Sequence, residues 1–353
     1  MARAESPSAP LSGSDPLSTP SPALTLEEAS RVSRETFGID GPLEELGGER
    51  DQNFRVQDAG GDGRSYVLKI ANAAEDPSVL DLQRAALSHL AVHAPELSVP
   101  SVREALDGSC WTPVEAATGT KHLAWLLSYL PGVPLKDVEL TPSLARTLGA
   151  ELARLGVGLR GFFHPAAGRV LLWDIKQAGR LRQRLDDVPD ATLRRLAGRA
   201  LDRFDARALP ILPRLRAQVI HADANAANVL VGSRDGSASI AGFIDFGDML
   251  HTALASDLAV LLASVVTSTA DPIGDAARIV AGYQSVTPLD GEELAALLEL
   301  WLGRLSAAVL ISAWRVKLHP ENARYITDDD EYSWEMIDCL SGLDPKQVLD
   351  ALR

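Results

Sequence analysis

Cysteine is scarce: the 353-residue chain has two, Cys110 and Cys339, far apart in sequence. That leaves no disulfide framework and no thiolate zinc cluster, and makes a reducing cytosol the default compartment. Basic charge is in deficit, with 34 lysines and arginines against 48 aspartates and glutamates and a net charge of −14. Such a balance argues against a general affinity for nucleic acid or anionic membrane. It suits a cationic small molecule such as an amine-bearing alcohol. Long apolar runs are missing as well. Stretches such as Leu258 to Val266 are too short to span a bilayer. No charged-then-apolar leader opens the chain, and no internal repeat is evident. The expectation is a cytoplasmic protein that binds neither membrane nor nucleic acid. These features leave the oligomeric state open.

What is present has the composition of an ordinary globular enzyme, 46% hydrophobic and 23% charged. The length suits one large two-lobed domain or two small ones. The chemistry concentrates between Val219 and Leu258. His221-Ala222-Asp223 comes first, then Asn228, two apolar runs joined at Arg234-Asp235-Gly236, and Asp245-Phe246-Gly247. Phosphoryl transfer needs a carboxylate to take the proton from an attacking hydroxyl, and hard oxygen ligands to hold Mg²⁺ against a triphosphate. Asp223 qualifies as the base, and Asn228 and Asp245 qualify as metal ligands. A hairpin turning at Arg234-Asp235-Gly236 would bring all three to one end. A lone H-x-D or D-F-G is noise, and each aspartate alone could cap a turn. In order and at this spacing they match the catalytic loop and metal motif of kinases.

Upstream, Phe54 and Val56 alternate with polar residues, as do Tyr66, Leu68 and Ile70, across the turn cluster Asp58 to Arg64. That reads as a β-hairpin. Lys69 lies in its second strand, on the face opposite Leu68 and Ile70, where a kinase places its phosphate-binding lysine. His89 and His93 are spaced for zinc but lack the H-E-x-x-H pattern, so a helix face is the better reading. The arginines from Arg180 to Ala217 have the spacing of solvated helix faces. Thr141-Pro142 opens a helix on which Leu144, Leu148, Leu152 and Leu155 share a face.

HADANAANVLV followed by GFIDFGDMLHTALASDLAVLLA resembles the aminoglycoside phosphotransferase and choline kinase superfamily, and within it the hydroxylysine kinase-like branch. The resemblance runs from about Leu24 onward and is strongest in the catalytic segment. It implies an α+β, protein-kinase-like two-lobed fold: residues 24–130 as an N-lobe with an antiparallel sheet, 131–353 as a mainly helical C-lobe, and the nucleotide in the cleft. Residues 1–23, rich in serine and proline, are expected to be a disordered tail.

The same resemblance implies individual roles. His221 supports the catalytic loop, and Asp257 steadies it from the following helix. Gly47 and Gly48 belong to a loop over the nucleotide phosphates, to which Asn53 donates; an ordinary turn is the competing reading. Backbone at Ser128 and Leu130 receives the base of ATP or GTP. The helix that should offer Lys69 a glutamate carries Gln83 instead, with Asp81 the nearest acid. Trp173 and Asp174 fall in a segment near the substrate, where Asp174 either binds an amine or caps the next helix. Asp248 and His251 border the substrate site, and Arg324, Tyr325 and Trp334 line its far end.

The function so implied is a kinase using Mg²⁺ and ATP or GTP to phosphorylate a small hydroxyl acceptor, an amino alcohol or hydroxylated amino acid. Aminoglycosides and sugar alcohols remain alternatives, as does a silent nucleotide-binding pseudokinase. A protein kinase fits less well. No A-P-E segment follows the D-F-G, and the S-D-L-A helix comes too soon for a long activation loop.

Overall fold

The computed structural model describes residues 19–48, 50–60, 63–327 and 330–353, without the side chains of Arg234 and Tyr325. The expected disordered tail therefore lies, up to residue 18, outside the described residues. The chain divides into two compact units. One runs to Ser88 and takes up Pro100–Leu130; the other comprises His89–Val99 and Pro131–Arg353.

The first unit is built on an antiparallel sheet. It opens with α1 (Leu26–Phe37), started by a Thr25–Glu28 capping box and stopped by Gly38 at φ 68°. Strands β1 (Leu43–Leu46), β2 (Gln52–Gln57) and β3 (Ser65–Ile70) follow, then α2 (Pro77–His93), β4 (Val102–Arg103), β5 (Thr112–Glu115) and β6 (Lys121–Ser128). The sheet order is β1-β2-β3-β6-β4, with β5 also paired to β6. The hairpin legible in sequence is β2–β3, with Phe54 opposite Leu68 and Val56 opposite Tyr66. Those four side chains are buried with Phe37, Ile39 and Leu126 in one core. The period-two alternation thus fixes which face of the sheet is covered.

The second unit is mainly helical. After β7 (Val133–Pro134) come α3 (Pro142–Gly158), a long 3₁₀ run Ile175–Asp187 and α4 (Ala191–Arg207). The strands β8 (Ala217–Ile220), β9 (Val229–Arg234), β10 (Ser237–Phe243) and β11 (Leu250–Ala253) then precede α5 (Ala255–Val265), α6 (Pro272–Gln284) and α7 (Gly291–Leu318). Short helices α8 (Ala323–Ile326), α9 (Asp330–Ser341) and α10 (Pro345–Leu352) close the chain. Thr141 caps α3 with Pro142 in its first turn, as its sequence implies. Leu90, Ala94 and Leu97 lie against Gly158 of α3, where any side chain would collide with Leu90 and Ala94. That packing places residues 89–99 in the second unit.

Helix α7 is the axis of this unit. By length and composition it could cross a membrane, yet 89% of its apolar window is buried in the protein. Residue-by-residue runs look short because Glu299 and Arg304 interrupt them, although the helix is continuous. Three charges sit buried on it. Glu293 meets Arg216 and Glu299 meets Arg203, so neither carboxylate is left uncompensated. The third, Arg304, belongs to the site below.

Candidate active site

Strands β8 and β11 pair antiparallel, with Ile220 opposite Leu250, and the catalytic segment is strung between them. The intervening hairpin, β9–β10, turns at Asp235 and Gly236, both at positive φ. That turn conformation matches the right-handed twist of the strands, and aspartate followed by glycine supplies it. At the other end Val229 pairs with Phe243, and the Ile244 N–H donates to the Asn228 carbonyl at 2.9 Å. The hairpin thus sets Asn228 beside the residue preceding Asp245. A shift of register between Ile240 and Gly242 bends β10 just before this point.

His221 locks the two loops together. Its Nδ1 accepts from the Asp223 N–H at 3.3 Å, and its Nε2 lies 3.1 Å from the Ile244 carbonyl. An acceptor at Nδ1 and a donor at Nε2 describe one neutral tautomer. Burial holds the ring's pKa down at about 4, against the opposing pull of the Asp245 carboxylate, the Ile244 carbonyl and Asp248. Phe246 packs against the same ring at 4.6 Å between centroids.

Beneath the loop, Asp257 in the first turn of α5 accepts from the main-chain N–H of Ala222 at 2.8 Å and of His221 at 3.3 Å. Ala222 stands at φ 63°, a left-handed conformation costing a non-glycine residue on the order of 1 kcal/mol. Two hydrogen bonds to a buried carboxylate offset that cost. Burial raises the Asp257 pKa to about 6, and these N–H groups pull it back. Asp245 is also left-handed, at φ 59°, and its Oδ1 accepts from the Gly247 N–H at 3.1 Å.

The Asp223 carboxylate is held from both oxygens. Asn225 Nδ2 donates to Oδ1 at 3.0 Å and Asn228 Nδ2 to Oδ2 at 2.8 Å. Asn228 Nδ2 also reaches the Asp223 carbonyl at 3.0 Å. A further donor comes from α7: Arg304 Nη2 lies 3.4 Å from Oδ1, its side chain 10% exposed. Arg304 stacks on the Trp173 ring, 4.5 Å to its centroid, and donates to the Trp173 carbonyl at 3.2 Å. The aromatic ring of Trp173 therefore faces a cation supplied by the chain itself. Next to it, Asp174 is buried. It caps the 3₁₀ run through the Lys176 N–H, accepts from Thr252 and pairs with Lys176 Nζ at 3.0 Å. Arg169 donates to the Gly247 carbonyl, tying the same segment to the D-F-G turn. Asp248 is buried after that turn, whereas His251 is exposed. Arg324 is exposed on α8, Trp334 is half-buried on α9, and the Tyr325 side chain lies outside the described residues.

In the first unit, Lys69 is buried on β3 with its Nζ 3.5 Å from Asp51 Oδ2. Asp51 Oδ1 accepts from the Asn72 N–H, so loop, lysine and the end of β3 are joined. The acid against Lys69 thus comes from the glycine loop. Asp81 pairs with Arg84, and Gln83 is buried on α2. Asn53 Nδ2 donates to the Gly47 carbonyl at 3.3 Å. A Cβ on Gly48 would lie 2.3 Å from the Asp51 carbonyl and 2.7 Å from Asn53 Nδ2, whereas one on Gly47 meets open space. At the end of β6, the Ser128 N–H and Oγ bond to Ser101, and the Tyr129 N–H bonds to Ser65, leaving Leu130 half-buried.

Residues 43–299 match the model of the phosphotransferase enzyme family. The chain belongs to that family. It is an enzyme, a phosphotransferase with an alcohol group as acceptor, and the resemblance read from the catalytic segment is borne out. Hydroxylysine kinase from Mus musculus is 27% identical over 346 residues, covering 93% of this chain and 92% of that protein. The Xenopus laevis enzyme of the same name is 26% identical over the same shares. Among solved structures, a microcompartment-associated aminopropanol kinase superposes with a TM-score of 0.70 at 21% identity, covering 91% of this chain and 100% of that one. Amicoumacin kinase, solved with AMP-PNP and Ca²⁺, gives 0.69 at 16% identity over 91% and 96%. At these identities the likeness is one of fold, and the fold is the kinase-like one expected.

Three residues of this phosphotransferase's candidate site are not singled out by sequence. Asn225 sits two residues past Asp223, where a local side chain reaches a turn carboxylate. Asp51 sits beside the glycine pair. Arg304 has the faintest signal, a lone cation inside the apolar run of α7.

Proposed function

We propose that this phosphotransferase moves the γ-phosphoryl group of ATP or GTP to the hydroxyl of a small amine-bearing acceptor, a hydroxylated amino acid or amino alcohol. The observation that carries the reading is the Asp223 carboxylate, held from both oxygens in a loop braced by His221 and Asp257. A carboxylate so held orients an acceptor hydroxyl and takes its proton as the oxygen–phosphorus bond forms and the β–γ bridge breaks. The nucleoside diphosphate leaves, and the proton passes from Asp223 to solvent. Lys69 grips the nucleotide phosphates, the Gly47-Gly48 loop with Asn53 covers them, and main chain from Ser128 to Leu130 receives the base.

The donor set fits a divalent cation. The Asn228 amide nitrogen is spent on Asp223, which leaves its oxygen, and Asp245 adds a carboxylate. Mg²⁺ takes one or two such protein oxygens together with substrate phosphates, and when bound it would neutralise charge on the triphosphate. The hydroxylysine kinase relatives and the net charge of −14 support a cationic acceptor, whereas Asp174 is already met by Lys176.

The test is nucleotide consumption with Mg²⁺, ATP and GTP separately, across hydroxylated amino acids, amino alcohols, sugars and aminoglycosides. Turnover with an amine-bearing hydroxyl compound, lost in Asp223→Asn, is the expected result. Turnover confined to sugars or aminoglycosides would overturn the acceptor class. Nucleotide binding without turnover on any of these acceptors would also overturn the acceptor class.

A further inference from the structure

Burying a guanidinium in an apolar helix is expensive unless an acid compensates it, and an apolar side chain of similar size is often no less stable there. The other two buried charges of α7 have structural explanations. Glu293 completes the capping box with Asp290 and takes two bonds from Arg216. Glu299 takes two bonds from Arg203, which also binds the carbonyls at the end of α9. Arg304 instead meets the proposed base through one 3.4 Å contact, with its other nitrogen and its face given to Trp173.

The remaining donors to Asp223 that are described above share its loop. Asn225 and Asn228 travel with Asp223 whenever the loop moves. Arg304 belongs to the buried 28-residue α7 and is clamped flat by Trp173. It can therefore refer the carboxylate to the frame of the whole unit. We infer that Arg304 is a positioning residue for phosphoryl transfer: braced by Trp173, it orients the Asp223 carboxylate toward the acceptor hydroxyl. The inference rests on the proposed role of Asp223.

A misplacement of about 1 Å at a reacting group can cost on the order of a hundredfold in rate. Arg304→Ala should therefore lose about a hundredfold in kcat, with the nucleotide KM changed less than about threefold. Added guanidinium ion, filling the vacated space, should restore about tenfold of that loss. Arg304→Lys keeps the charge but lacks the flat fork that stacks on Trp173, and should recover only part of the rate. Trp173→Leu should fall between it and the parent. Arg203→Met removes a buried pair of the same helix away from Asp223, so it should lower Tm without guanidinium-rescuable loss of kcat.

A folded Arg304→Ala enzyme with kcat within about threefold of the parent would overturn the inference, as would a loss that merely follows the folded fraction and resists rescue. Should Arg304→Ala fail to fold, parental kcat in both Arg304→Lys and Trp173→Leu overturns it equally. If Asp223→Asn abolishes turnover while the Arg304 variants keep it, the inference fails and the proposed function stands. If Asp223→Asn retains turnover, the base assignment fails and this inference with it.

Discussion

The two charges on which the proposed chemistry depends, Lys69 and Asp223, are held in opposite ways. Lys69 is met by Asp51, 18 positions earlier at the entry to the adjacent strand, and the β2–β3 register brings them together. Asp223 is met by Arg304, 81 residues away on a core helix. The first pairing lies within one hairpin and its loop, so in the proposed chemistry phosphate oxygens would displace that one carboxylate. The second is tertiary, tying a loop to the core helix α7, although the two pairs are about equally exposed. In the proposed chemistry, the Lys69 end would exchange partners and the Asp223 end would keep its geometry.

The sharpest test of that contrast removes the charges at each end. Asp223→Asn and Asp245→Asn should each lower kcat by about a thousandfold or more with the fold intact, measured by turnover beside circular dichroism. Lys69→Met should instead raise the nucleotide KM by about tenfold or more. Near-parental kcat in Asp223→Asn would erase the distinction.

A smaller effect is expected inside the proposed nucleotide loop. Gly48→Ala drives a Cβ into the Asp51 carbonyl and Asn53, so nucleotide affinity should fall by about tenfold, as seen by calorimetry. Gly47→Ala, with nothing within 4 Å of its Cβ, should stay within about twofold. Equal losses in both would mean that the loop's flexibility matters and its close packing does not.

The smallest effect is in pH dependence. His221, at about 4, binds fewer protons folded than unfolded between roughly pH 4 and 6.5, so its contribution to stability falls as pH drops through that window. Asp257, raised to about 6, binds more protons folded than unfolded between roughly pH 4 and 6, and its contribution runs the other way. In the parent the two largely cancel. His221→Gln should leave an enzyme whose relative stability rises on acidification from pH 6 to 4. Asp257→Asn should leave one that loses stability over that range, by at most about 1.4 kcal/mol per pH unit. Thermal melts across pH 4 to 7 would show both slopes, and matching slopes would refute the opposition.

Much of the site is legible in the chain because it is made of local patterns. Asp223, Asn228 and Asp245 stand at hairpin ends set by the Asp235-Gly236 turn, and Lys69 is marked by strand alternation. The capping of Ile175–Asp187 by Asp174 is equally local. The partner of Lys69 is harder to see. The helix position expected to hold a glutamate carries Gln83, while the acid sits across a hairpin whose register no single residue announces. His89–Val99 departs from the simple boundary at residue 130 because Gly158 of α3 makes room for it.

By itself, then, the sequence determined the candidate catalytic segment, the strand carrying Lys69, the family and the fold class. Those rest on spacing along the chain, where turn chemistry and side-chain periodicity act over a few residues. Tertiary structure alone decided that Arg304 reaches Asp223 and that Trp173 stacks on that arginine. Such pairings join residues tens of positions apart. They follow from how helices pack and bury charge, and nothing in the local pattern specifies which buried cation will face which acid.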